Sequence, residues 1–291
     1  MNIGMIGTGA IGFPIAERII NKGLGLSFFA RRNDVIDSLC KLGADYIESV
    51  ENLGEASDIV LLFLNSFEQC RECTEKLLKG MNSGLIIVGS TISPDQMREI
   101  SRMCEGNGVS TLSAPVTGGV KGAKDGTLTI MVSGKEDNLN KARFLFEAFG
   151  KEIVYVGGEI GLSQVMKSLV QLLVGINTVA MSEAFILGAK NGLEPSIIYS
   201  TLCKSAGVSR IFENRGCTVL ERDFHKRGTI EILNKDLGYC AEISQKSGTT
   251  LMLGNVCADL FKIGMAELDR EQDFSSIIKL YEKWAGVEIS S

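Results

Sequence analysis

The segment Gly7-Thr8-Gly9-Ala10-Ile11-Gly12 narrows the possible folds of this chain more than any other. GxGxxG alone is a weak signal. Here it follows the apolar run at residues 2–6 and opens an amphipathic segment at residues 9–22, the context that gives it physical meaning. Gly7 permits a tight turn, Gly9 lets the backbone approach a pyrophosphate, and Gly12 lets the helix pack closely on the strand. Thr8, Ala10 and Ile11 complete the loop. The unpaired N–H groups and the dipole of the helix N-terminus then favour an anion. The motif predicts a dinucleotide site at the start of the chain.

Beyond it, residues 26–30, 59–63 and 85–88 read as strands, and residues 34–42, 68–78 and 94–104 read as helices between them. That alternation predicts a parallel sheet with helices on both faces. Residues 109–113, 127–132 and 153–156 extend the set of strands. The pattern changes around Gly157. From Gly161 onward there is almost no β-type run, and helical spacing covers residues 162–191, 195–204, 209–221, 233–246, 251–267 and 274–284. We expect an α/β domain over residues 1–160 and an all-helical domain over residues 161–291, with no flexible linker. Residues 169–188 are apolar enough to raise the question of a membrane. Gln171, Asn177, Ser182 and Glu183 interrupt them, so the stretch reads as a helix buried on most sides by protein.

The formal net charge is −5 and no Lys/Arg-rich block is present, which argues against a nucleic-acid partner. Cys70 and Cys73 form a lone CxxC, and His225 is the single histidine, so core thiols are the simpler reading than a metal site. Cys40, Cys104, Cys203, Cys217, Cys240 and Cys257 are scattered. The chain opens directly on a strand without an export-signal pattern, and a cytoplasmic protein with reduced thiols is expected.

The end of the second strand discriminates between cofactors. An NAD site calls for Asp or Glu there, to bind the ribose 2′-hydroxyl. This chain has Phe29-Ala30-Arg31-Arg32. Ala30 stands at the acid position and repels no phosphate, while Arg31 and Arg32 can clamp one with charge-assisted bonds. NADP is expected over NAD.

Two further segments carry chemistry. One is Ser113-Ala114-Pro115-Val116-Thr117-Gly118-Gly119-Val120-Lys121-Gly122-Ala123, followed by Gly126-Thr127-Leu128-Thr129-Ile130-Met131-Val132. The other is Gly158-x-x-Gly161-x-x-x-x-x-Lys167-x-x-x-Gln171. With the N-terminal glycine motif, they closely resemble the β-hydroxyacid dehydrogenase family, which includes 3-hydroxyisobutyrate dehydrogenase and tartronate semialdehyde reductase. The resemblance spans essentially the whole chain. It implies a Rossmann domain, a long connecting helix and an all-α domain, in a homo-oligomer (dimer or tetramer) acting on a small carboxylate substrate.

The residue chemistry agrees. Thr117, Gly118 and Gly119 offer a hydroxyl and backbone N–H groups at a turn, which suits a substrate carboxylate. Lys167 lies in an otherwise apolar helix, and a desolvated lysine can exchange a proton near neutral pH. Gln171 is four residues on, where it can hold the substrate oxygen or fix the lysine head. His225 sits in a polar run with the look of an exposed loop, so a lysine mechanism is expected rather than a histidine one. The resemblance further implies that Leu64-Asn65 passes the cofactor, that Thr91 approaches the nicotinamide ribose, and that Lys235, in Lys235-Asp236-Leu237-Gly238, reaches cofactor and substrate. Val170 stands where the family often has Asn, and Val88 replaces a common Asp, which bears on substrate identity. Residues 205–215 resemble the L-threonate dehydrogenase branch, whose members are expected to use NAD, against the sense of Ala30-Arg31-Arg32. The expected reaction moves a hydride between the nicotinamide and a β-hydroxy acid or its semialdehyde. An imine reductase and a non-catalytic NADP-binding module are the alternatives, and Lys167 argues against both.

Overall fold

The computed structural model describes residues 1–290. The chain forms two compact units, Met1–Lys167 and the rest from Ser168.

Strands in the first unit that are covered on both faces should read as continuous apolar runs. IGMI in β1 (Ile3–Ile6) and, further along, IVLL and LIIV do so, and all their residues are buried. After β1 come α1 (Gly12–Asn21), β2 (Leu26–Phe29), α2 (Asn33–Lys41), β3 (Asp45–Tyr46), α3 (Val50–Ala56), β4 (Ile59–Leu62), α4 (Phe67–Gly80), β5 (Leu85–Val88) and α5 (Pro94–Glu105). The unit continues with β6 (Ser110–Ser113), β7 (Val116–Thr117), α6 (Gly119–Asp125), β8 (Leu128–Gly134), α7 (Glu136–Phe149) and β9 (Gly150–Gly157). The strand order is β3-β2-β1-β4-β5-β6-β8-β7, with β9 also paired to β8. Ile3 of β1 lies opposite Leu26 on one side and Ile59 on the other. The order therefore reverses between β1 and β4, and the loops after these strands open at the switch point where α/β sheets bind ligands.

Side-chain alternation sorts the core onto the two faces of the sheet. Ile59 and Leu61 join Ile15, Ile19, Leu145 and Phe149 in one cluster. Val60 and Leu62 join Leu53, Leu77, Met97 and Ile100 in the other. This is the expected sheet with helices on both faces, but it is not all parallel. β8 runs antiparallel to β6 and β7. The link from β7 to β8 passes only through the short α6, and a parallel return needs a longer crossover. Three helices absent from the sequence reading also appear, α3, the short α6 and α7. α3 is a single short segment capped by Ser49, whose side chain accepts from Asn52 N. α7 begins on charged residues, and only its later positions Leu139, Ala142, Leu145, Phe146 and Phe149 form the buried stripe.

The second unit is helical, apart from an isolated bridge between Thr229 and Asp273. α8 (Leu162–Lys190) starts in the first unit and continues into the second. It is followed by α9 (Pro195–Leu202), α10 (Arg210–Leu220), α11 (Ile230–Ser247), α12 (Met252–Glu267), a 3₁₀ turn at Phe274–Ile277 and α13 (Ile278–Ala285). Phe185 stacks on Phe212 at 5.3 Å in one core cluster, and Leu237, Cys257 and Phe261 belong to the other. Asp273, fully buried, ties this unit together. It lies 3.0 Å from Arg215 Nε, accepts from Ser275 Oγ at 2.7 Å and accepts from Gly228 N at 3.3 Å.

α8 departs from its reading as a helix buried on most sides. It is long and apolar enough to cross a membrane by length and composition, and only 33% of its most apolar window is buried. Leu169, Leu173 and Leu187 are 49%, 59% and 68% exposed, and α12 likewise exposes Met252, Leu253 and Val256. One copy of the chain thus leaves several large apolar residues of α8 and α12 exposed.

Candidate active site

The glycine turn after β1 is built by close backbone approach. Gly7 has φ +97°, and a methyl group on it would lie 2.2 Å from the carbonyl oxygen of Phe63. On Gly12 a methyl would lie 1.8 Å from the Gly7 carbonyl oxygen. Gly9 is different, with open space where its Cβ would stand. Two glycines thus close the turn, and the third leaves its surface clear for a ligand. α1 has no side-chain cap and no acidic residue in its first turn. By contrast, Ser49, Ser66 and Ser93 cap α3, α4 and α5. An uncapped N-terminus behind a clear glycine fits the pyrophosphate of a dinucleotide.

At the end of β2, Ala30 is half-buried while Arg31 and Arg32 are exposed. Arg32 pairs loosely with Asp34 at 3.8 Å. Arg31 has no ion-pair partner within 4 Å among the described residues. Its charge reaches Glu72 on α4, whose carboxyl is held below its usual range mainly by Lys76 and slightly by Arg31.

The loops after β4 and β5 and the end of β6 are joined by hydrogen bonds, in part through the start of α8. Leu64 N donates to Ser90 Oγ at 2.6 Å, which links the Leu64-Asn65 and Ser90-Thr91 loops. Asn65 N donates to Gln69 Oε1 at 3.1 Å in the first turn of α4. Gln164, fully buried near the start of α8, donates from Nε2 to Ser90 O at 3.0 Å and to Ser113 Oγ at 3.1 Å. Its Oε1 accepts from Ile92 N at 3.3 Å. Ser163 Oγ donates toward Ser113, whose Oγ and carbonyl O lie 2.7 and 3.1 Å away, and sits 2.9 Å from Ser133 Oγ. Neither Ser163 nor Gln164 figured in the sequence reading. The available signal was a Ser-Gln pair inside an apolar helix, which must find partners once buried.

Beyond Ser113 the chain reaches Thr117, which pairs with Thr129 across β7 and β8. Gly118 (φ +127°) and Gly119 (φ +65°) are exposed and open α6, which has no side-chain cap and no first-turn acid. The sequence reading of a plain turn is thus replaced by a strand end and the start of a short helix. On α8, Lys167 is only 8% exposed, one turn past Ser163 and Gln164.

The second unit holds its own polar group. Gln171 Nε2 donates to Asp236 Oδ2 at 2.7 Å. Lys235 Nζ lies 3.6 Å from Asp236 Oδ1 and 5.6 Å from the centre of the Tyr239 ring. Asp236 is 2% exposed, so a buried carboxylate anchors Gln171 and Lys235 together. Sequence reasoning placed Asp236 in a motif but gave it no role. Beside it, burial and the charge of Asp236 push the Cys240 thiol up to about 12, which keeps it protonated and unreactive. His225 is exposed and hydrogen-bonded to Asp223, whose carboxyl that bond and Arg227 hold down at about 2. All eight cysteines are free, and among the described residues no group of three or more His, Cys, Asp or Glu side chains is gathered as a metal site requires.

Residues 2–157 match the family model described as the NAD binding domain of 6-phosphogluconate dehydrogenase. Residues 161–281 match the model described as NAD-binding of NADP-dependent 3-hydroxyisobutyrate dehydrogenase. The chain is 32% identical to 2-hydroxy-3-oxopropionate reductase of Escherichia coli, over 100% of both chains. It is 31% identical to the NAD-dependent L-serine dehydrogenase of Pseudomonas aeruginosa, covering 98% of this chain and 99% of the relative. Among solved structures, 3-hydroxyisobutyrate dehydrogenase of Mycobacterium tuberculosis with L-serine superposes with a TM-score of 0.88 at 27% identity, covering 96% of this chain and 98% of that one.

Proposed function

The chain belongs to the β-hydroxyacid dehydrogenase family, and from that premise we propose that it is an NADP-preferring dehydrogenase or reductase of a small β-hydroxy acid or its semialdehyde. It is a nicotinamide-dependent enzyme acting on a CH–OH group. The observation that carries the mechanism is Lys167, a lysine only 8% exposed in an apolar helix. When bound, the nicotinamide supplies or accepts the hydride. Lys167 gives a proton to the substrate oxygen in reduction and takes it back in oxidation. Thr117 and the backbone of Gly118 and Gly119 hold the substrate carboxylate, which fixes the attack geometry. Gln171, held by Asp236, serves the substrate oxygen, and Lys235 serves cofactor and substrate. The glycine turn Gly7–Gly12, with Leu64, Asn65 and Thr91, holds the dinucleotide. The uncharged Ala30 beside Arg31 and Arg32 supports NADP. We place the enzyme in the cytoplasm, in keeping with its free cysteines.

Four measurements on the purified protein test this reading. A panel of semialdehydes, hydroxy acids and one cyclic imine should show turnover on the first two classes; turnover of the imine alone would support the imine-reductase alternative. Arg31→Ala should weaken NADPH by about tenfold or more, the loss of a bond to a charged group, and leave NADH almost unchanged. A parent enzyme that binds NADH more tightly would overturn the NADP assignment. Lys167→Ala should lower kcat on the best substrate by on the order of 10²–10⁴-fold, with dinucleotide affinity nearly intact. Lys167→Arg should fail too, because a guanidinium does not release its proton near neutral pH. Finally, the exposed leucines of α8 and the apolar surface of α12 support a homo-oligomer, a dimer or tetramer that covers them. Light scattering at micromolar concentration should give at least twice the 31.4 kDa of one chain; a monomer would refute it.

A further inference from the structure

We propose that Gln164, supported by Ser163, is a positioning residue that clamps the backbone around Thr91 to the first turn of α8 and so fixes where Lys167 stands in the reaction. The inference rests on the role given to Lys167 above.

Three features lead to it. First, the carboxamide of Gln164 brackets one residue: Nε2 donates to the carbonyl before Thr91 and Oε1 accepts from the N–H after it, at 3.0 and 3.3 Å. A flipped amide would face donor to donor and acceptor to acceptor, so one orientation is set. Second, the same Nε2 reaches Ser113 Oγ, and Ser163 reaches the same serine at 2.7 Å. Leu64 N in turn binds Ser90 Oγ. The loops after β4 and β5 and the last residue of β6 are therefore tied to one helical turn. Third, Gln164 and Ser163 precede Lys167 by three and four residues, which places all three along one stripe of α8. A fully satisfied buried polar network of this kind defines one arrangement, where apolar packing would tolerate several. A shift of about 1 Å between reacting groups can cost on the order of 10²-fold in rate, so such a clamp has kinetic consequences without touching substrate.

Gln164→Glu tests the proposal, because it keeps the shape and changes the hydrogen bonding. An ionised carboxylate turns an acceptor toward Ser90 O, while the protonated acid restores a donor there. Burial raises the pKa of a carboxyl, so the working, protonated form grows as pH falls. Relative to the parent at each pH, kcat of Gln164→Glu should be reduced about tenfold or more near pH ~8 and should recover toward the parent near pH ~6. Dinucleotide affinity should stay within about threefold. Gln164→Met, of similar size with no donor, should lose kcat by a ratio that does not vary with pH. Both are judged on protein whose circular dichroism and oligomeric state match the parent; if one fails to fold, the other decides, and Ser163→Ala should show a smaller loss of kcat. Folded variants with kcat within about twofold of the parent, a loss confined to KM, or a Gln164→Glu ratio flat with pH would overturn the clamp. Turnover that survives Lys167→Ala would instead strike at the role of the lysine. An inactive Lys167→Ala beside unimpaired Gln164 variants would strike at the clamp alone.

Discussion

Gly12 approaches the carbonyl of Gly7 so closely that a methyl group would stand 1.8 Å from its oxygen, and Gly7 itself sits against the carbonyl of Phe63. The rest of the first unit depends on that contact. It brings α1 directly onto the end of β1, puts the uncapped helix N-terminus at the switch point, and sets the turn beside the loop that leaves β4. No side chain could make this approach, so the glycines are required by packing before any ligand enters. Gly9, with nothing near its Cβ position, does not serve packing in this way, and its clear surface is what a pyrophosphate needs.

Much of this was legible in the residues. The apolar runs at β1, β4 and β5 announced strands buried on both faces, and the loss of β-type runs after Gly161 announced a helical second part. What stayed hidden depended on tertiary context. The apolar run of β8 carries no sign of its direction, which the short link through α6 explains. α3 and α7 carry too short or too late an apolar stripe to stand out. Apolar composition made α8 read as well buried, yet composition does not say whether the covering surface comes from the same copy of the chain.

The candidate site divides in the same way. Lys167 and Gln171 are proposed from spacing and resemblance, and the lysine is buried. The groups around them were not found. Gln164 looks like an ordinary helix polar residue until its partners Ser90, Ile92 and Ser113, each distant in sequence, are brought to it. Asp236 looks like a surface charge beside Lys235 until burial makes it the anchor of Gln171. A buried polar side chain must find its partners; those of Gln164 flank Thr91, and those of Asp236 are Gln171 and Lys235, residues with a proposed role in binding or chemistry.

The role of Lys167 as the proton-transfer group is tested most directly by chemical rescue. Lys167→Ala leaves a space where an amine stood, and small primary alkylamines added to the assay can fill it and carry the same proton. Turnover that returns with amine concentration, and rises with amine basicity after allowance for size, is the expected result. Full turnover without any amine, or an inactive variant that no amine revives while its dinucleotide and substrate still bind, would contradict a proton-transfer role for this lysine.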